Sequence, residues 1–237
     1  MVQQLLDALA LHGAGGTGVR RVVLTLNLPE PAPLAPAGGW PFVLELRHNS
    51  VPQGFSANHN AALAGATEPL VCVLNPDVDL TGGNPFPALV RALQRQGVGL
   101  AYPMQVDENG QLQDSERELP TPCPCCAAMR SNAARPGPNG SMAPCGCCLR
   151  PSGRALAGSI PRTSCNCEDV ELCLRLRLAG WTLARAACVV GHAGQRASHR
   201  RARHACGIFA ACCGCGPRQF SGAPGPCSGV PPRQHSR

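Results

Sequence analysis

Three apolar runs, each with an asparagine at or near its carboxyl end, constrain this chain most. They are VRRVVLTLNL (19–28), FVLELRHN (42–49) and EPLVCVLNPDVDL (68–80). The first, β-branched and bounded by Gly and Pro, reads as a buried strand, the second alternates like a strand, and the third is a hydrophobic strand ending in polar residues. Helical patterns fall between and around them. Residues 2–12 space their apolar positions as an amphipathic helix, after which GAGGTG turns the chain. GFSANHNAALAGA reads as a glycine turn entering a helix, and PFPALVRALQRQG (85–97) as a helix closed by Gly97. VGLAYPMQV is a further strand, and PEPAPLAPAGGWP is a loop. Strands alternating with helices predict an α/β fold built on an open sheet. Ligands of such sheets bind beyond the carboxyl ends of the strands, where Asn27, Asn49 and the Asn75-Pro76-Asp77 turn fall.

Composition divides the chain more sharply than it describes the whole. The formal charge is +7, yet all 14 acids lie in 1–122 and 166–200. Residues 123–165 and 201–237 hold none of them, but carry 10 of 21 arginines and 12 of 16 cysteines. The rest of the chain is therefore slightly acidic, and the basic balance belongs to two blocks. That argues against a nucleic-acid binder, since the basic blocks lack interleaved aromatics. The start, MVQQLLDALALHG, has no basic n-region and is not read as a signal peptide. No apolar run reaches the ~18 residues of a membrane span. A cytoplasmic protein is expected, and a secreted disulfide framework is not.

The motifs of 1–122 and 166–200 resemble a family 2 glycosyltransferase of the GT-A fold, its rhamnosyltransferase-like branch in particular. VVLTLNLPE resembles the second sheet strand, and HNSVPQGFSANHNAAL the N-x-G-F segment that enters a helix. VCVLNPDVDL resembles an Asn-Pro-Asp variant of the metal-binding D-x-D. Val98 through Tyr102-Pro103 to DENGQLQDSERELPTP resembles the G-x-x-x-P, D-x-x-G and R-x-x-P-T-P segment. CEDVELCLRLRLAGW resembles the helix that carries the catalytic base, and VVGHAGQRAS the late histidine segment. Each is weak alone; the ordered set is specific.

The resemblance implies a sheet lacking its first strand and an inverting transfer assisted by Mg²⁺ or Mn²⁺. Such a reaction needs a base for the acceptor hydroxyl and positive charge on the departing diphosphate. The implied base is Asp169, supported by Glu168. The implied metal ligands are Asp77 and His192, with Asn75 in place of the usual first acid. Thr25, Asn27, Asn49, Gly54, Asn60, Asn75 and Asp77 would line the nucleotide-sugar site. Implied partners are a nucleoside diphosphate sugar, rhamnose among the candidates, and a glycan or lipid-linked acceptor of bacterial cell-wall polysaccharide synthesis. Peripheral contact with the inner face of the plasma membrane belongs to the same reading.

Plainer explanations exist for each residue. Asn-Pro-Asp is a common turn, and Glu168-Asp169 at a helix start suits the helix dipole. Val170, Leu174 and Leu178 read as the buried stripe of that helix, and His192 alone reads as structural.

The block 123–165 invites a zinc reading, because Cys123-x-x-Cys126 and Cys145-x-x-Cys148 are 18 residues apart and match a four-cysteine template. A cysteine-rich zinc-binding interaction module is the alternative function. The block also falls where the resemblance places W-x-x-G-A, G-F-D and an aromatic run, none of which is visible. Read one base late, its codons permit them: Met142-Ala143 forces glycine, Cys147-Cys148 forces leucine, and Asn139-Gly140 allows tryptophan. The same shift turns Cys206–Gly216 into a basic amphipathic helix of the kind that lies on membranes. Out-of-frame translation of 123–165 and 201–237 accounts for the cysteines, for the missing acids and for the absence of aromatics from 123–165. The expected organisation is a nucleotide-sugar part (1–122), an irregular insert (123–165), the base-bearing helix and its following strand (166–200), and a disordered tail (201–237).

Overall fold

The computed structural model describes residues 1–12, 18–113, 116–117, 140–141, 145–149, 168–192 and 205–212. In chain order the elements are α1 (Val2–His12), β1 (Val19–Leu26), β2 (Val43–His48), α2 (Phe55–Leu63), β3 (Leu70–Leu74) and β4 (Val78–Asp79). There follow α3 (Phe86–Leu93), β5 (Val98–Val106), β6 (Glu116–Arg117), β7 (Gly140–Ser141), β8 (Cys145–Leu149), α4 (Glu168–Leu178), β9 (Thr182–His192) and β10 (Ala205–Cys212).

Eight strands form one open sheet in the order β2-β1-β10-β3-β8-β5-β9-β4, and β6 pairs with β7. β1 and β2 are parallel, as are β5 and β9. β10 is antiparallel to β1 and β3, and β8 to β3 and β5. Hence β1, β2, β3, β5 and β9 all point the same way, and their carboxyl ends share one edge. The fold is α/β, as the alternation of patterns predicts.

Both faces of the sheet are covered. Leu5, Leu6 and Leu9 of α1 and Phe86, Leu89 and Leu93 of α3 bury one face against Val22, Leu24, Leu26, Cys72 and Leu74. Ala62 after Phe55 on α2, with Cys173 and Leu176 of α4, covers the other against Val23, Val71, Leu100 and Tyr102. Neighbouring residues of β1 thus enter opposite cores, which is why its sequence is a continuous apolar run and not an alternation. α1 is tied down at its end: the Asn84 amide donates to the His12 carbonyl (3.1 Å), and His12 Nε2 donates to the Leu80 carbonyl (3.0 Å).

Local chemistry sets the breaks. The run 68–80, read as one strand, is two. Pro76 cannot donate to a ladder, and Val78 N closes a turn on the Asn75 carbonyl at 3.2 Å. Pro103 lies inside β5, but at the register shift between Tyr102 and Met104, where a strand tolerates proline. α4 ends in a Schellman motif. Trp181 N bonds the Leu176 carbonyl, Gly180 N bonds the Arg177 carbonyl, and Gly180 has φ of 85°.

Two expectations are corrected. The buried stripe of α4 is not Leu174 and Leu178, which are 41 and 63 % exposed; Cys173 and Leu176 are buried in their place. The helix sits with those two residues over Leu100, Tyr102 and Leu183, and this rotates Leu174 and Leu178 outward. Val170's side chain lies outside the described residues. Nor are the cysteine-rich blocks irregular throughout. Cys145–Leu149 and Ala205–Cys212 run as strands inside the main sheet, and β10 separates β1 from β3. Apolar stretches with Cys, Ala, Ile, Phe or Leu and no charge suit strands flanked on both sides. The rest of both blocks, Cys123 and Cys126 included, lies outside the described residues.

Candidate active site

The carboxyl edge of the parallel strands gathers polar side chains into two clusters. The first joins the ends of β1 and β2 to the start of α2. Asn49 Nδ2 donates to Asn27 Oδ1 (2.9 Å) and to Asn58 Oδ1 (2.7 Å). Asn27 Oδ1 also accepts the Gln53 backbone N–H (2.8 Å), and Asn27 Nδ2 donates to the Gln53 carbonyl (3.1 Å). Asn58 Nδ2 donates to the same carbonyl (3.3 Å). Asn27 and Asn58 are buried. Their bonds fix the 50–54 loop against the sheet, as buried amides must be satisfied to be stable there.

Behind this network lie three buried polar atoms that have no hydrogen-bond partner among the described residues: Thr25 Oγ1, Ser56 Oγ and His59 Nε2. His59 packs edge-on against Phe55, with ring centroids 4.1 Å apart. Complete burial lowers its pKa from 6.5 to about 4, so the ring is neutral at physiological pH.

The second cluster lies where the β3–β4 turn meets the end of β9. His192 Nε2 is 3.3 Å from Asp77 Oδ2, and the two side chains are 15 and 11 % exposed. His192 Nδ1 lies 3.3 Å from Gln113 Oε1, and the Gln113 amide nitrogen donates to the His192 carbonyl (3.4 Å). Asp77 Oδ1 is buried and has no hydrogen-bond partner among the described residues. Asp79 is different: both of its oxygens are taken, one by Thr81 N (2.8 Å) and one by Thr81 Oγ1 (2.9 Å). Gly191 makes room beside it, because a Cβ there would meet the Asp79 Cβ at 3.0 Å.

A cavity of about 880 Å³ opens over this cluster. Its walls include Asp77, Asp79, Asp107, Glu108 and His192, with the first turns of α1 on the far side. Four carboxylates and one histidine make it electronegative. Among the described residues, no group of three or more His, Cys, Asp or Glu side chains is placed to hold a metal. Asp77 and His192 form a pair only. The pair offers one carboxylate, the kind of ligand a hard cation takes, and one imidazole nitrogen, which suits softer ions.

The structure brings Asn27, Asn49, Asn75, Asp77 and His192 to a single edge. Thr25 lies one step inside it on the α2 face. α4 starts at Glu168-Asp169 and ends three residues before β9, so it runs back across the sheet from the carboxyl edge. The side chains of Glu168 and Asp169 lie outside the described residues. Gly54 precedes α2 with φ of −69°, and a Cβ there would meet nothing within 4 Å, so neither backbone nor space requires glycine. Asn60 lies on α2, but Asn58 is the residue that joins Asn27 and Asn49. Asn58, Gln53, His59 and Gln113 were not singled out by sequence. Asn58 is buried on the inner side of α2 by its tertiary contacts, which no local pattern in the sequence announces.

No family model matches the chain, and no curated protein matches it.

Proposed function

We propose that the chain is a GT-A-type glycosyltransferase that moves a sugar, rhamnose among the candidates, from a nucleoside diphosphate to a bacterial glycan or lipid-linked acceptor. The observation that carries this reading is Asp77: a carboxylate 11 % exposed, with one oxygen against His192 and the other without a hydrogen-bond partner among the described residues. A buried acceptor of this kind is costly and is relieved by a cation. The surrounding carboxylates would repel a bare diphosphate, so the same cation is needed for the donor to enter.

Mg²⁺ or Mn²⁺, held by Asp77 and His192 with Asn75 beside them, would neutralise charge on the departing diphosphate. Asn27, Asn49 and Asn58 supply amide groups at the neighbouring strand ends for the nucleoside. Thr25, Gly54 and Asn60 lie along the same stretch. Asp169 would accept the proton of the acceptor hydroxyl, with Glu168 helping to hold it near the positive end of α4. These roles come from the motif resemblance, and the strand-edge placement supports them. Contact with the inner face of the plasma membrane goes with a lipid-linked acceptor; among the described residues no helix is long and apolar enough to cross a membrane.

The zinc-module reading has no specific observation in its favour. Cys145 and Cys148 belong to a strand paired in the main sheet, and Cys123 and Cys126 lie outside the described residues.

The test is turnover. Purified full chain is supplied with Mn²⁺, a panel of nucleoside diphosphate sugars and a membrane extract, and nucleoside diphosphate release is followed. The expected result is release with one donor, reduced at least about a hundredfold in Asp169→Asn with donor binding retained. Release that is indifferent to Asp169→Asn would remove Asp169 from the mechanism, and no release with any donor would count against the transferase.

A further inference from the structure

Among the described residues, β2 is the terminal strand of the main sheet and pairs with β1 alone. The phase of that pairing is fixed, because Asn49 N donates to the Leu26 carbonyl. In a parallel ladder alternate residues turn both N–H and C=O toward the same neighbour. Val43, Glu45 and Arg47 therefore face β1 with their backbone groups, and Leu44, Leu46 and His48 turn theirs away from the sheet. Such an edge is a template for another strand.

The side chains of β2 specify which strand. Glu45 and Arg47 lie two apart on one face, 41 and 38 % exposed, and contact each other at 3.3 Å along the strand. We propose that β2 is a homodimerisation edge, to which β2 of a second copy adds antiparallel about a two-fold axis at Leu46.

In this arrangement Leu46 exchanges both backbone bonds with Leu46 of the second copy. Leu44 does so with His48 of the second copy, and His48 with its Leu44. Each residue involved is one whose backbone groups face outward. Glu45 then falls opposite Arg47 of the second copy, twice by symmetry, in the close non-hydrogen-bonded positions where Cα atoms are about 4.5 Å apart. Moving the axis one residue toward Glu45 puts Glu45 against itself; moving it toward Arg47 puts Arg47 against itself. The charges therefore select one register and reject its neighbours. The start of one strand also comes to lie against the end of the other. Val43 and Val51, exposed at 66 and 67 %, are covered there. An isologous contact of this kind closes as a dimer and does not propagate.

The experiment is sedimentation velocity of the full chain over a range of concentrations, in reducing buffer so that none of the 16 cysteines cross-links copies. The wild type is expected to be a reversible dimer. Glu45→Arg and Arg47→Glu are each expected to raise the dissociation constant at least about tenfold, because each puts like charges opposite at two places. An equimolar mixture of the two variants should dimerise like the wild type, since each restores the other's complement. Recovery in the mixture also shows that both variants are folded. A monomeric wild type, or a dimer that both single variants leave unchanged, or a mixture that stays monomeric, would overturn the proposal.

Discussion

Two residues show how burial and chemistry separate at this strand edge. Asp79 is the more exposed acid of its turn and is satisfied locally by Thr81, whereas Asp77 is partly buried and its Oδ1 has no hydrogen-bond partner among the described residues. Sequence alone does not distinguish them, since both belong to N-P-D-V-D. His59 is a different case. Its ring is wholly buried with its pKa lowered to about 4, and an unfolded histidine titrates near 6.5. The unfolded chain therefore binds the extra proton between these values. Stability is fully present above about pH 6.5, falls as pH drops toward 4, and has lost about 3 kcal/mol there from this residue alone. Urea midpoints measured from pH 7 to pH 4 should show this slope, and His59→Gln should flatten it. An identical slope in the variant would assign the titration to other groups.

At the scale of elements, α4 illustrates what periodicity can and cannot give. Its existence and its end at Gly180 are legible in the sequence, because acids open it and a glycine closes it. Its rotation is not. The sequence EDVELCLRLRL offers Leu at 172, 174, 176 and 178, so two faces compete. Tertiary contact with Tyr102 and Leu183 selects Cys173 and Leu176. Leu176→Ala is expected to cost about 2–5 kcal/mol. Leu174→Ser with Leu178→Ser should change stability by less than about 1 kcal/mol, since both are exposed. Chemical denaturation of the two variants decides between the faces. The amino end of β5 has a similar constraint: a Cβ at Gly99 would meet the Trp181 side chain at 2.8 Å, and the register of β5 against β9 depends on that close approach.

For the molecule as a whole, the α/β class and the parallel strands were legible, because each buried strand is an apolar run ended by a polar residue. Asn27, Asn49 and Asp77 were legible as candidates for the same reason, since strand ends are where such sheets bind ligands, whereas His192 was a candidate through the motif resemblance alone. Asn58 and Gln113 were not. Gln113 meets His192 across 79 positions of sequence, and no local pattern announces so distant a partner. β8 and β10 were missed because they lie in Cys- and Gly-rich stretches, β8 with no β-branched or aromatic residue and β10 with Ile208 and Phe209 alone. Their places in the sheet come from neighbours on both sides, a tertiary effect.

The claim on which the functional account rests is that Asp77 and His192 need a divalent cation before a diphosphate can enter the cavity. The most direct measurement is calorimetric titration of the full chain with uridine and thymidine diphosphates, with Mn²⁺ present and with chelator in its place. The account predicts binding of at least one nucleotide in Mn²⁺, at least about tenfold weaker binding in chelator, and loss of the Mn²⁺ effect in Asp77→Asn. Binding of equal strength with and without the cation, or a cation effect that survives Asp77→Asn, would contradict it.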